Sequence, residues 1–355
     1  MKHTDKFSSF RDFNISFGYP RSDTCSVYDK HIVKMKSLQE KIMNTIENEA
    51  QLELQNEIKG LENENKLHKL KAATFYARKR HAKIQSRKNE SIEAITMDFS
   101  RNLSTPNITT NDVYYKRQLT FVSFNIHKLA TNEAVFHTCP ETIAKKGADE
   151  VASLLHDFCH NILGQTVRCL EIFCHSCAGQ NKNYTIIRLL HHMVHKEGRF
   201  DKIKITFPIR GHSYSECDKD FALIKQKTRV EVPSQWVEVF KSARVKPMPF
   251  NVIECTTDIF HAWTKFLTPQ YKKTCPLPTR PIKELIISHQ HPRTIQMRES
   301  YNGAMSSFVL IPPRPGIAAA TPDKLCNGLI PIPKLKYDQL QELMKFVVET
   351  NNLLH

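Results

Sequence analysis

The apolar positions of this chain change their spacing along its length. Over residues 30–88 they recur in steps of three and four, at Met35, Leu38 and Ile42, then Leu54, Ile58 and Leu61, then Leu67 and Leu70, among Glu, Lys, Gln and Asn. Such steps put side chains on one face of a helix, so the segment predicts a long helical arm, residues 30–90. Asn44, Thr45 and Gly60 interrupt a strict heptad. Two arrangements stay open: a helical hairpin packed on the rest of the chain, or a coiled coil with a second copy through residues 30–75. Residues 1–29 hold Gly18-Tyr19-Pro20-Arg21-Ser22-Asp23 and little rhythm, which reads as loop.

Beyond the arm the period shortens. Residues 92–99 form a short apolar strand, residues 114–129 alternate through Leu119, Phe121, Phe124 and Ile126, and residues 134–138 predict a third strand. Gly147-Ala148-Asp149-Glu150 then opens a helix with Val151, Leu154, Leu155, Phe158 and Ile162 on one face, ending near Gly164. Residues 167–173 and 203–209 read as strands buried on both faces, with a helix over 184–195 between them and Gly198 as its stop. The order β-β-β-α-β-α-β predicts an α/β fold with a mixed sheet, antiparallel on one side and crossed by helices on the other. Further helices are expected near Asp218 or Asp220, over 233–243 and over 259–266. Residues 311–335 are rich in Pro and Ala and read as a linker, and a terminal helix is expected over 337–350 within a C-terminal segment 336–355. The main domain is thus 91–310.

Composition narrows the partners. The chain of 355 residues, 40% hydrophobic, has no apolar run of about eighteen residues and no apolar stretch at its N-terminus, so neither a membrane span nor a secretory signal is expected. A net charge of +15 favours polyanions, and DNA is the expected partner. Arg78, Lys79, Arg80, Lys83, Arg87 and Lys88 cluster at the end of the arm; they would touch phosphates, serve as a nuclear-import signal, or form a solvated helix face. Ten scattered cysteines imply reduced thiols rather than a disulfide framework. Only Cys174-His175-Ser176-Cys177 has close metal-ligand spacing, with no second pair beside it, so zinc is not expected there.

Two-metal nuclease chemistry needs carboxylates at the carboxyl ends of neighbouring strands. Asp98 ends the first strand, His175 follows the strand after the first helix, and Asp218, with Asp220 as the alternative, follows the last strand. The simpler readings are a turn-capping Asp98 and acids favoured at a helix N-terminus for Asp218 and Asp220. Lys182 beside a helix start, with Arg210, His212 and Arg244, could form a phosphate track, while Asn181 or Asn183 would serve equally as an N-cap. His191 and His195 share a helical spacing, as do His156 and His160, but His192 stands where a zinc protease has Glu, and surface histidines are the expectation. Ser176 has no evident third partner for a hydrolase triad.

Four stretches carry a resemblance: Thr96-Met97-Asp98-Phe99; Tyr114-Tyr115-Lys116-Arg117-Gln118-Leu119; Cys174-His175-Ser176-Cys177-Ala178-Gly179-Gln180-Asn181-Lys182-Asn183; and Gly211-His212-Ser213-Tyr214-Ser215-Glu216-Cys217-Asp218. They resemble a transposon-derived family of RNase H-like, DDE transposase or integrase type, catalogued mainly as a domain of unknown function. The resemblance implies an RNase H-like sheet, a nuclear protein acting on DNA, and Mg2+ or Mn2+ held by Asp98, the residue at 175 and Asp218. Two departures matter. His175 stands where the family has Asp, and a neutral imidazole is a poor magnesium ligand, so activity is expected to be weak or lost unless a softer ion such as manganese is held. Tyr28 stands where the family has the second Cys of a pair begun by Cys25, which argues against zinc at the N-terminus. Two alternatives accompany this catalytically impaired reading: an active divalent-metal nuclease, and a dimerising interaction module with no DNA role.

Overall fold

The computed structural model describes residues 25–224, 229–316 and 320–347. Of the predicted N-terminal loop over 1–29, residues 1–24 lie outside these residues and residues 26–29 are already helical, because the first helix begins at Ser26; the end of the predicted terminal helix also lies outside. The chain divides into two compact units, Met1–His68 with Arg210–His212, and Lys69–Ile209 with Ser213–His355.

In the first unit, α1 (Ser26–Asn44) turns back at residues 45–47 onto the start of α2 (Asn48–Lys88). The two helices form an antiparallel hairpin within one chain. Lys34 pairs with Glu57 at 2.6 Å and His31 Nδ1 with Asn65 Oδ1 at 2.7 Å, while Leu38 and Leu61 are buried. Gln51 Nε2 donates to the Ile42 carbonyl at 3.4 Å, holding the turn that Asn44 and Thr45 open.

The second unit takes in the remainder of α2. Ala72, Phe75 and Ala82 pack on Ala94, Leu129, Phe173, Ile209 and Tyr301. Small residues at two of those helical positions let the helix approach closely, and the compact unit therefore begins inside α2, at Lys69. The later strands and helices are β1 (Ile92–Phe99), β2 (Leu103–Thr105), α3 (Asn111–Tyr115), β3 (Leu119–Lys128), β4 (Ala134–Pro140), α4 (Ala148–Asp157), β5 (Cys169–Cys174), α5 (Tyr184–His195), β6 (Lys202–Thr206), α6 (Glu216–Ile224), α7 (Pro233–Ser242), β7 (Asn251–Glu254), α8 (Trp263–Leu267), β8 (Glu284–Ser288), β9 (Thr294–Arg298), β10 (Ser306–Val309) and α9 (Lys334–Leu343).

The fold is α/β, a mixed sheet flanked by helices with a helical N-terminal arm. Its centre runs β4-β3-β1-β5-β6: β1, β3 and β4 are antiparallel, and β5 and β6 are parallel to β1. That is the predicted pattern of hairpins followed by helix-crossed strands. One face of β1 and β5 buries Ile95, Met97, Leu170 and Ile172 against α4 and α5, whose Val151, Leu155, Leu189 and Met193 are completely covered. On the other face, Phe121 and Phe136 meet Phe221, Trp236 and Phe240 from α6 and α7. Burying each large apolar side chain contributes roughly 1.5–3 kcal/mol, and both faces are covered along most of β3 and β4.

Several boundaries differ from expectation. Residues 111–115 form the short α3, because the Thr110 hydroxyl accepts from the Asp112 N–H at 3.4 Å and caps it, so β3 starts only at Leu119. The strands β2, β7, β8, β9 and β10 were not predicted; β8 joins β6 antiparallel and extends the sheet through β9 to β10, while β7 joins the other edge beside β4. The helix expected over 259–266 is a 3-10 turn at Thr257–Ile259 and then α8. The Pro-rich segment from Ile311 docks on the domain: Leu325 N–H donates to Phe260 at 2.8 Å and Ile330 N–H to Thr142 at 2.6 Å. No helix among the described residues is long and apolar enough to cross a membrane.

Candidate metal centre

Alternation along β1 sends Ala94, Thr96 and Asp98 to the face opposite Ile95 and Met97, and the same rule sends Phe173 and His175 to that face beyond β5. Met97 is paired with Cys174 in the parallel register, so Asp98 and His175 follow side by side at the carboxyl ends of two neighbouring strands. The start of α6 supplies the third group. Ligand atoms of Asp98, His175 and Asp218 all lie within 4.8 Å of one another.

Each side chain is already held. Asp98 Oδ1 accepts from the Phe99 N–H at 2.9 Å, and Oδ2 lies 3.6 Å from His175 Nε2. His175 Nε2 lies 3.1 Å from the Ser213 carbonyl, to which it donates, and the Asn181 amide donates to the His175 carbonyl at 3.3 Å. Asp218 Oδ2 accepts from Ser215 N–H at 2.7 Å and from its hydroxyl at 3.1 Å, so Asp218 also stabilises the entry to α6. Burial pushes the Asp98 carboxyl up to about 6; His175 pulls it down, the neighbouring Asp218 carboxylate raises it, and Lys146 lowers it. Two carboxylates crowded in this way favour a cation between them.

Asp220 does not join the cluster. It is buried and accepts from Asn125 Nδ2 at 2.9 Å and His127 Nδ1 at 2.7 Å, with Arg244 Nη1 at 3.3 Å. Two residues further along α6 than Asp218, it faces the interior and ties the helix to β3. Together with Cys217 against Thr96 at 3.4 Å, it fixes where Asp218 stands. Arg244 is accordingly enclosed rather than part of a phosphate track.

The expected phosphate contacts divide by burial. Arg78 pairs with Glu284 at 2.6 Å, Lys79 with Glu216 at 2.8 Å, and Lys83 donates to Asn132 at 3.0 Å. Arg87 donates through Nε to the Ala130 carbonyl at 2.9 Å but stays exposed, as do Arg80 and Lys88. Lys182 is buried, donates to the carbonyls of Arg280 and Ile282 at 2.8 and 2.7 Å, and is lowered by burial to about 8. Asn183 is the N-cap of α5, accepting from Ile186 N–H at 3.0 Å. In the other unit Arg210 is exposed, and the His212 ring lies 4.9 Å from that of His68.

One of the histidines expected on a helix surface is inside. His191 is 1% exposed and burial pushes it down to about 3, because the face of α5 that carries it packs on Tyr271; His192 is buried beside it. Lys146, which sequence patterning did not single out, donates to the Ser100 carbonyl at 2.6 Å beside Asp98. Its only sequence signal is its place just before α4.

Residues 129–277 match a family described as a domain of unknown function (DUF7869). The match covers β4 through α8 and includes His175, Asp218 and Lys146, but not Asp98. No curated protein and no solved structure matches the chain.

Proposed function

We propose that this chain is a transposon-derived, DNA-associated protein of RNase H-like type, acting in the nucleus, whose metal centre is impaired by His175. The observation that carries this reading is the convergence of Asp98, His175 and Asp218 at the ends of β1 and β5 and the start of α6. The strand order β4-β3-β1-β5-β6 supports it, as do the sequence motifs around the three residues and the exposed Arg80, Arg87 and Lys88.

The donor set fits one divalent cation of intermediate softness. Two carboxylates carry two negative charges, against three in an all-acid triad, and this lowers the attraction for a pair of divalent ions. Magnesium wants hard oxygen ligands, whereas manganese accepts an imidazole nitrogen more readily. Ligation through His175 Nε2 would also break its bond to the Ser213 carbonyl. A bound ion would orient a phosphate and activate water; the chain's own part is to hold Asp98 and Asp218 in place and to set Lys146 beside Asp98.

The test is calorimetric titration of Mg2+ and Mn2+ into the full chain and into His175→Asp, with plasmid nicking measured alongside. The expected result is a preference for Mn2+ in the wild type and a gain of at least tenfold in Mg2+ affinity in the variant. An unchanged Mg2+ affinity would remove His175 from any ligand position. A second reading, dimerisation through the arm, is favoured by the exposed Val33, Met43, Leu52 and Leu67. A concentration-dependent sedimentation coefficient that Leu52→Glu abolishes would support it.

A further inference from the structure

A second cluster of a different chemistry lies in the first unit. Ligand atoms of Cys25, His68 and His212 lie within 4.8 Å of one another, Cys25 Sγ stands 3.1 Å from His68 Nε2, and the rings of His68 and His212 are 4.9 Å apart at their centroids. The three are brought from the N-terminus of α1, from α2 and from the 210–212 segment, so no local spacing in the sequence announces them. Zinc bound at about 2.3 Å to sulfur and 2.0–2.1 Å to nitrogen sets its tetrahedral ligand atoms roughly 3.3–3.6 Å apart.

The backbone around the thiol is shaped for it. Gly211 has φ +80°, and a Cβ there would fall 2.5 Å from Cys25 Sγ and 2.9 Å from its Cβ. Only glycine both adopts that conformation without strain and leaves the sulfur its place. Cys25 is 8% exposed and forms no disulfide.

We propose that Cys25, His68 and His212 form a zinc site that clips the start of α1 to α2 and to the 210–212 segment. A thiolate and two imidazoles make a borderline-soft donor set that selects zinc over magnesium. Three protein ligands leave the fourth tetrahedral position to water. Tyr28 lies three residues after Cys25 in the first turn of α1, on the same helical face. A thiol at that position would complete a four-ligand site.

The experiment uses the full chain, stripped of metal and titrated with Co2+ and then Zn2+. The expected result is a thiolate-to-cobalt charge-transfer absorption in the near ultraviolet that Zn2+ displaces, that Cys25→Ser removes, and that His68→Gln and His212→Gln weaken. Asp98→Asn should leave the band intact, which separates this site from the carboxylate centre. Tyr28→Cys should tighten Zn2+ at least tenfold, and it tests the proposal even where Cys25→Ser fails to fold. Absence of the band in the wild type, its persistence in Cys25→Ser, or an unchanged Zn2+ affinity in Tyr28→Cys would each overturn the proposal.

Discussion

Replacing Asp98 by Asn should stabilise the metal-free protein while removing its response to manganese. Raising a carboxyl from an ordinary 3.8 to about 6 corresponds to about 3 kcal/mol in favour of the protonated form. The folded value lies above the unfolded one. The cost of holding Asp98 ionised is therefore absent below about pH 4, grows as the pH rises through 6, and is complete at pH 7. Asn keeps an oxygen for the Phe99 N–H and gives up the 3.6 Å approach to His175 and the attraction of Lys146, both already counted in the raised value. Urea unfolding without metal should thus show the variant more stable by about 1–3 kcal/mol at pH 7 and equal to wild type near pH 4. With Mn2+ at ten times its dissociation constant, wild type should gain about 1.4 kcal/mol and the variant nothing. A variant less stable than wild type at pH 7, or equal stabilisation of both by Mn2+, would refute the account of Asp98 as a buried carboxylate awaiting a cation.

Arg199 is buried and donates to the carbonyls of Cys159, Val167, Leu163 and Gly164 at 2.7–3.1 Å, closing the π-helical turn that ends α4. Arg199→Met should cost about 3–5 kcal/mol in urea unfolding, and Arg199→Lys should recover less than half, since one ammonium cannot span four acceptors; a loss under about 1 kcal/mol would contradict this. Burial pushes the Glu197 carboxyl up, but His156 and His160 Nε2, each at 3.0 Å, and His192 hold it well below the usual carboxylate range. Because its folded value is depressed, its stabilisation is present above about pH 4.3 and lost as pH falls; stability profiles should show Glu197→Gln losing at least about 1 kcal/mol less than wild type on acidification from pH 6 to 3, and parallel profiles would count against it.

The central elements follow from the local pattern of apolar residues. The spacing of Ile95 and Met97, of Phe124 and Ile126, and of Leu189 and Met193 follows the periods of strand and helix, and burial on two faces leaves those residues no other place. That pattern also placed Asp98, His175 and Asp218 at element ends, because the chain leaves the core there and polar groups become tolerable. Beyond β6 the pattern is weaker. The strands from β7 to β10 are only four or five residues each, too short for a period to show, and β7 and β8 join the sheet through β4 and β6, partners far along the chain. Tertiary structure alone decided that Asp218 faces the cluster while Asp220 turns inward to His127 and Arg244, since their spacing along α6 points them in different directions. It alone decided which cations of the arm stay free, for Arg78 and Lys79 meet Glu284 and Glu216 only once the sheet has formed. The meeting of Cys25 with His68 and His212 belongs to the same class: residues tens to hundreds of positions apart become neighbours through chain folding, and no local pattern encodes that distance.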